Sequence, residues 1–191
     1  MNGEWCYFKS YFDKQTCEKI IADAQSIPTQ DGILGIGQNT TVDLNFRRSK
    51  IRFVNADNPN FTWLFDALWK TAIQANKDWF NIHITKLPFI QIAEYDFQDK
   101  GEYKEHHDVF WMNNDPIYHR KLSCIVQLSD PNDYTGGNFE ITEGCPPLPS
   151  DDIRQQGSVI YFPSMFRHRA NQVLRGTRYS IAAWFEGPKW R

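Results

Sequence analysis

The chain predicts a mainly β fold of the α+β class: a jelly-roll barrel over residues 82–187, supported by an N-terminal helical region over residues 1–80. Three observations lead there. Helical periodicity is confined to the first eighty residues; short apolar runs broken by Pro, Gly, Asn and Asp follow from Ile82 onward. Three side chains able to hold one metal ion, His106, Asp108 and His168, lie far apart in the chain and need a sheet architecture to converge.

The first helix is signalled by YFDKQTCEKIIADAQSI, with Asp13 or Ser10 as N-cap and Cys17, Ile20, Ile21 and Ala24 on one face. A Gly- and Asn-rich loop is expected from Gln30 to Thr40. RRSKIRFV then alternates as a strand, with its basic cluster read as a solvated face. The second helix lies in NPNFTWLFDALWKTAIQANKDWF, where Phe61, Leu64, Phe65, Leu68, Ala72 and Ile73 form an apolar stripe for the core. Within the strand-rich half, Asp130 to Gly137 and the stretch CPPLPSDD read as turns or loops. No repeat, low-complexity tract or linker divides the chain, so residues 1–191 are expected to form one domain.

The run GEYKEHHDVFW contains a His-x-Asp pair. In an extended strand, residues i and i+2 point to the same side, so His106 and Asp108 can converge while His107 faces away. His168, in FPSMFRHRANQV, would supply the third donor. Two imidazoles and one carboxylate suit Fe(II) where coordination positions must stay open for O2 and a co-substrate. Taken alone, a His-x-Asp pair occurs by chance and a strand histidine is often a packed core residue.

After His168 the sequence reads as two strands around a turn at Leu174, Arg175 and Gly176, with glycine where a three-residue hairpin loop needs a positive φ. That hairpin would pair Val173 with Thr177 and place Arg178 opposite Gln172, on the face of His168. Four strand steps separate His168 from Gln172, about 13 Å. A five-carbon dicarboxylate plus an extended arginine fills such a span, which makes Arg178 a candidate clamp for a carboxylate.

Three blocks, QIAEYDFQDKGEYKEHHD, RKLSCIVQLSDPNDYTGGNFEI and GSVIYFPSMFRHRANQVLRGTRYSIAAWFEG, occur in one order from Gln91 to Gly187. In that run the chain resembles the Fe(II)- and 2-oxoglutarate-dependent oxygenases of the prolyl-4-hydroxylase type, including the PKHD-type hydroxylases and the oxygen-sensing prolyl hydroxylases. The resemblance implies a double-stranded β-helix with His106, Asp108 and His168 as iron ligands and Arg178 as the 2-oxoglutarate anchor. It also implies Gln127 as a second polar contact to that carboxylate, Tyr95 and Trp184 as pocket walls with Tyr103 nearby, and Gly136 and Gly137 as the glycines that begin a barrel strand. Relatives of the collagen type often carry lysine where Arg178 stands. The implied reaction hydroxylates a C–H bond, most readily of a prolyl residue in a protein or peptide, and releases succinate and CO2. Fe(II), 2-oxoglutarate and O2 would be required, with ascorbate as a possible reductant and no catalytic side chain beyond the metal centre. A free amino acid or another small molecule is the alternative substrate. The stretch VFWMNNDPIYH after Asp108 is longer than in the oxygen-sensing enzymes and brings Phe110 and Trp111 towards the metal side.

Composition fits a soluble enzyme. Lys plus Arg number 21 against 23 Asp plus Glu, so no net field draws nucleic acid or an anionic membrane. No apolar run is long enough to span a bilayer, and MNGEWCYF lacks a signal pattern, which points to a cytoplasmic protein. Cys6, Cys17, Cys124 and Cys145 show no CxxC spacing and read as reduced thiols, Cys124 within a core strand. A cupin-like metal barrel would use the same ligands without a need for Arg178. A nucleic-acid demethylase would generally carry a further arginine where Trp184, Phe185 and Glu186 stand. A non-catalytic binding barrel would not need the intact ligand set.

Overall fold

The structure, a computed structural model, describes residues 3–35, 40–109, 118–143 and 145–189. In chain order the elements are β1 (Cys6–Phe8), α1 (Lys14–Ala24), β2 (Gln30–Asp31), β3 (Arg47–Arg48), β4 (Lys50–Asn55) and α2 (Thr62–Ala75). A π-helical turn (Asn76–Phe80) extends α2. The strand-rich half follows as β5 (Phe89–Asp96), β6 (Glu102–His106), β7 (Tyr118–Gln127), β8 (Thr135–Gly136), β9 (Phe139–Ile141), α3 (Ser150–Ile153), β10 (Val159–Pro163), β11 (His168–Ala170), β12 (Val173–Arg175) and β13 (Thr177–Pro188).

The Asp13 carboxylate accepts a 2.8 Å hydrogen bond from the Thr16 backbone N–H and starts α1. Cys17, Ile20 and Ala24 are buried along one face of that helix. In α2 the buried face is Leu64, Phe65, Leu68, Thr71, Ala72 and Ala75, whereas Ile73 is 45% exposed and is not part of the stripe. Ile73 follows Ala72 by one 100° step, enough to carry it off the face that its neighbours at i, i+3 and i+4 share. The π-helical turn ends at Asn81, which takes a left-handed conformation at φ 51°. The Asn76 side chain holds this ending by bonding both the N–H and the carbonyl of Ile82.

Seven strands form the larger sheet in the order β1-β10-β7-β13-β5-β4-β2, and four form the facing sheet in the order β3-β6-β11-β9, with β12 and β8 as a separate pair. Helices α1 and α2 pack on the outer face of the seven-stranded sheet. There Cys17, Ile20, Leu64, Leu68 and Ala72 share a core with Ile90, Ile92, Val126, Tyr161, Ile181 and Phe185. The inner face of that sheet, formed by Gln91, Ala93, Tyr95, Ile125, Arg178, Ser180, Ala182 and Trp184, lines a cavity against the four-stranded sheet. The alternation of β5 and β13 thus sends one set of side chains to the helices and the other to the cavity. Two antiparallel sheets facing one another around a cavity make this a jelly roll.

Several local expectations are corrected. RRSKIRFV is not one strand: Ser49 separates β3, in the four-stranded sheet, from β4, in the seven-stranded sheet. Its basic cluster is not uniformly solvated, because Arg47 and Arg52 are only 3% and 6% exposed. Arg52 is held by Glu94 at 2.9 Å and Gln25 at 3.0 Å, so the charge is buried with partners. Within the expected loop at Gln30 to Thr40, β2 pairs with β4. β8 lies inside the predicted turn at 130–137, and α3 occupies the end of the CPPLPSDD stretch.

The predicted hairpin is absent. β12 pairs with β8, while β13 leaves the turn to pair with β5 and β7, so Arg178 stands opposite Tyr95 rather than Gln172. Gly176 does adopt φ 70°. A Cβ there would meet the Asp133 carbonyl oxygen at 2.0 Å, so a strand change rather than a tight hairpin is what demands glycine. All four cysteines are free, with Cys6, Cys17 and Cys124 buried. No described helix is long and apolar enough to cross a membrane.

Gly176→Ala is expected to destabilise the protein by roughly 2 kcal/mol or more, since left-handed strain and a backbone clash coincide. Leu174→Ala, at a 63% exposed site, should stay within about 0.5 kcal/mol of the wild type. Urea midpoints of the two variants measure the difference.

Candidate metal centre and adjoining cavity

β6 and β11 run antiparallel with His106 and His168 as direct partners, so strand register brings together two imidazoles separated widely in sequence. Their ring centroids lie 4.3 Å apart. Asp108 lies just beyond the end of β6, and its N–H donates to the Ser164 carbonyl at 2.9 Å. The carboxylate thereby reaches the same point: Oδ1 is 3.9 Å from His106 Nε2 and Oδ2 is 3.5 Å from His168 Nε2. One ligand atom from each residue lies within 4.8 Å of the others. His107 is exposed and stands outside this group.

Each imidazole has its second nitrogen committed. His106 Nδ1 is 2.8 Å from the Lys104 carbonyl and His168 Nδ1 is 2.9 Å from the Phe166 carbonyl. Because a carbonyl oxygen only accepts, both Nδ1 atoms carry the proton and both Nε2 lone pairs are free to bind a metal. Burial, followed by the neighbouring His168, pushes the His106 pKa down to about 3, so this imidazole is neutral at ordinary pH. At Asp108, burial acts to raise the carboxyl pKa, but His168, His106, Arg120 and the Ser123 hydroxyl outweigh it and hold the group below its usual range. A carboxylate and imidazoles that present Nε2 are what a divalent cation requires, and the donor set fits Fe(II).

Around the donors, Tyr103 stacks on the His106 ring at 3.6 Å, and Phe162 and Phe139 flank His168. Burial pushes the Tyr103 phenol up to about 12, leaving it neutral. Ser123 donates to Asp108 Oδ2 at 2.6 Å and lies 2.9 Å from the Ser164 hydroxyl, which fixes the carboxylate from behind. Sequence reading passed over these two serines. Ser123 has the parity of Gln127 on β7 and is a polar residue in an apolar run, a usable signal, whereas Ser164 has none.

The cavity beside the donors contains Arg178, which is 2% exposed, together with Tyr95, Tyr103 and Trp184. Arg178 thus shares a cavity with His168 although the hairpin that suggested this is absent; the two approach from facing sheets. Its Nε donates to Gln127 Oε1 at 3.1 Å, and its guanidinium carbon sits 5.4 Å from the Tyr95 ring centre. Gln127 lies behind Arg178 and is not among the residues lining the metal cavity. Gly136 and Gly137 take φ of 71° and 62° between β8 and β9; a Cβ on Gly137 would come within 3.1 Å of Arg178 Cδ. Phe110 and Trp111 lie outside the described residues.

Residues 90–186 match the sequence profile of the 2OG-Fe(II) oxygenase superfamily. More than half of the chain is covered, and the chain belongs to that superfamily. Among its relatives, a PKHD-type hydroxylase of Crocosphaera subtropica is 28% identical over 106 residues, 54% of this chain and 45% of that protein. One from Aliarcobacter butzleri is 25% identical over 145 residues, 72% of this chain and 61% of that protein. The chain therefore spans only about half of these relatives' length. At the level of fold, it is similar to a prolyl-4-hydroxylase of Pseudomonas putida, with a TM-score of 0.67 at 16% identity over 95% of this chain and 91% of that one. It is also similar to a Trichoplax adhaerens prolyl hydroxylase solved with a hypoxia inducible factor peptide, with a TM-score of 0.69 at 17% identity over 96% and 83% of the two chains.

Alanine at His106, Asp108 or His168 is expected to abolish tight Fe(II) or Co(II) binding, while His107→Ala should retain it. Ser123→Ala should weaken affinity by about 10- to 100-fold through loss of carboxylate orientation. Equilibrium dialysis with metal analysis separates these cases.

Proposed function

We propose that the protein is a 2-oxoglutarate-dependent dioxygenase that hydroxylates a C–H bond, with a prolyl residue of a protein or peptide as the favoured target. The observation that carries this reading is the pairing of a His-Asp-His donor set with a buried arginine in one cavity between facing sheets. A metal barrel that isomerises or hydrolyses has no use for that arginine.

In this reading His106 Nε2, His168 Nε2 and an Asp108 oxygen hold Fe(II). Bound iron would supply O2 activation, coupling oxidative decarboxylation of 2-oxoglutarate to succinate and CO2 with insertion of one oxygen atom into the target C–H bond. Arg178 holds the distal carboxylate of the co-substrate. Its Nε is engaged by Gln127, which leaves four N–H donors of the guanidinium for the ligand and fixes the plane of the fork. Gln127 thus acts through Arg178 as a positioning residue. Tyr95 and Trp184, 5% and 8% exposed, form walls that keep water from the charge-assisted contact and so strengthen it. No side chain is needed as a general acid or base.

Prolyl specificity is supported by the fold-level neighbours and by the PKHD-type relatives, and a peptide by the Trichoplax adhaerens complex. The free thiols suit a reducing compartment, and a cytoplasmic location belongs to the same proposal.

The iron-loaded protein should convert 2-oxoglutarate slowly to succinate in the absence of a target, in a reaction that needs O2, is aided by a reductant such as ascorbate and accelerates with the true substrate. Succinate at background level, alone and across a panel of prolyl peptides, would remove the oxygenase reading. Arg178→Ala is expected to raise the 2-oxoglutarate concentration required about 100-fold while sparing metal binding. Gln127→Ala should have a smaller effect of the same kind.

A further inference from the structure

The stem of Arg178 rests on a corner of the chain between β8 and β9. A Cβ at Gly137 would come 3.1 Å from Arg178 Cδ, 3.0 Å from Val173 Cγ2 and 3.4 Å from the Tyr134 ring, so this buried glycine packs directly on the arginine. Gly136 and Gly137 are consecutive left-handed residues, at φ 71° and 62°. Two glycines in succession allow the tight path and also make the backbone easily deformed. The position of the arginine stem therefore depends on what binds the corner.

Arg154 binds it. Its Nη1 donates to the Gly136 carbonyl at 2.8 Å and to Asn138 Oδ1 at 2.6 Å, and its Nη2 donates to the Tyr134 carbonyl at 2.9 Å. The guanidinium carbon lies 4.0 Å from the Tyr134 ring centre. One planar fork thus spans the corner from Tyr134 to Asn138, which a single ammonium group does not match. Main-chain bonds of 2.9 Å stitch the corner elsewhere, from the Gly137 N–H to the Gln172 carbonyl and from the Asn171 N–H to the Asn138 carbonyl.

The base from which Arg154 reaches is itself fixed. Arg154 follows α3, whose Ile153 is 3% exposed in a core with Phe139, Ile160 and Phe162. Asp152 accepts from Tyr7 Oη at 2.8 Å, which ties α3 to β1 at the edge of the seven-stranded sheet. Arg154 does not line the cavity of the metal centre. It shares a small cavity with Gln127, the acceptor for Arg178 Nε, so both supports of Arg178 stand together.

We infer that Arg154 is a positioning residue for the co-substrate: through the corner at 134–138 it fixes the reach of Arg178 towards the distal carboxylate. The inference rests on the reading of Arg178 as the 2-oxoglutarate anchor. A bidentate contact is strong only when the fork is held in plane and at the right depth. A corner released by Arg154 lets Gly137 move, and Arg178 loses the surface under its stem. The effect falls on the distal carboxylate and not on the metal-chelating head of the co-substrate.

The test compares two ligands by calorimetry, without turnover, on the intact chain loaded with Mn(II). 2-Oxoglutarate and 2-oxopentanoate share a 2-oxo acid head and chain length, and only the first carries the distal carboxylate. Arg154→Ala is expected to weaken 2-oxoglutarate about fivefold or more, with the affinities for Mn(II) and 2-oxopentanoate unchanged. Arg154→Lys should fall between, and in an Arg178→Ala background Arg154→Ala should change nothing further. Should Arg154→Ala fail to fold, Arg154→Lys decides by the same comparison. Unchanged 2-oxoglutarate affinity, or equal weakening of both acids, overturns the positioning role. Equal binding of the two acids by the wild type would discard Arg178 as the anchor instead, whereas a wild-type preference that Arg154→Ala leaves intact discards Arg154 alone.

Discussion

The pairing of His106 with His168 across β6 and β11 is the constraint on which the site depends. It is a matter of register: a slip of one residue would turn every side chain of β11 to the opposite face and remove an imidazole from the cavity. The pairing brings two histidines and an aspartate into a buried space where their separate desolvation would be unfavourable. Their mutual electrostatics, the two main-chain carbonyls at Nδ1 and the Ser123 hydroxyl make the arrangement tolerable. The ligand set is therefore prepared by the sheet before any metal arrives.

A division of labour between the sheets follows. The larger one buries its outer face against α1 and α2 and turns its inner face to the cavity, with Arg178 on the strand it uses most heavily, β13. The smaller one supplies both imidazoles and, through β3, Arg47. Arg178 and the two imidazoles thus come from separate sheets that meet face to face. Distances across such a cavity are set by sheet packing, about 10 Å in general, rather than by the path of any single strand.

That geometry explains what was legible in the sequence. The two helices, the strand-rich second half and the His-x-Asp pair rest on local periodicity and were readable, including the cap at Asp13 and the buried face at Leu64, Phe65, Leu68 and Ala72. The position of Arg178 in the cavity with His168 was anticipated through a hairpin that does not exist. Gly176 marks a sharp turn equally well whether the chain folds back on itself or crosses to another sheet, and only tertiary pairing distinguishes the two. Arg47 escaped notice because a basic run on an alternating segment reads as solvated. The change of sheet at Ser49 reverses that reading, and nothing local announces it. The hydrogen bond from Arg178 Nε to Gln127 Oε1 was not legible either, because residue parity gives the face of a side chain and not its reach.

β13 is the longest strand, and from Ser180 to Ala183 it is paired with β5 on one side and β7 on the other. Arg178 stands two residues before that doubly bonded stretch, tied to β5 opposite Tyr95. Backbone in such a setting opens only when much of the domain opens with it, and its amide protons should be among the last to exchange with solvent. No strand of the four-stranded sheet exceeds five residues, and that sheet has a register break between His168 and Ala170. Arg178 therefore rests on the most firmly held backbone described and the two histidines on the more yielding sheet, so small movements between the sheets would shift the imidazoles against a fixed guanidinium.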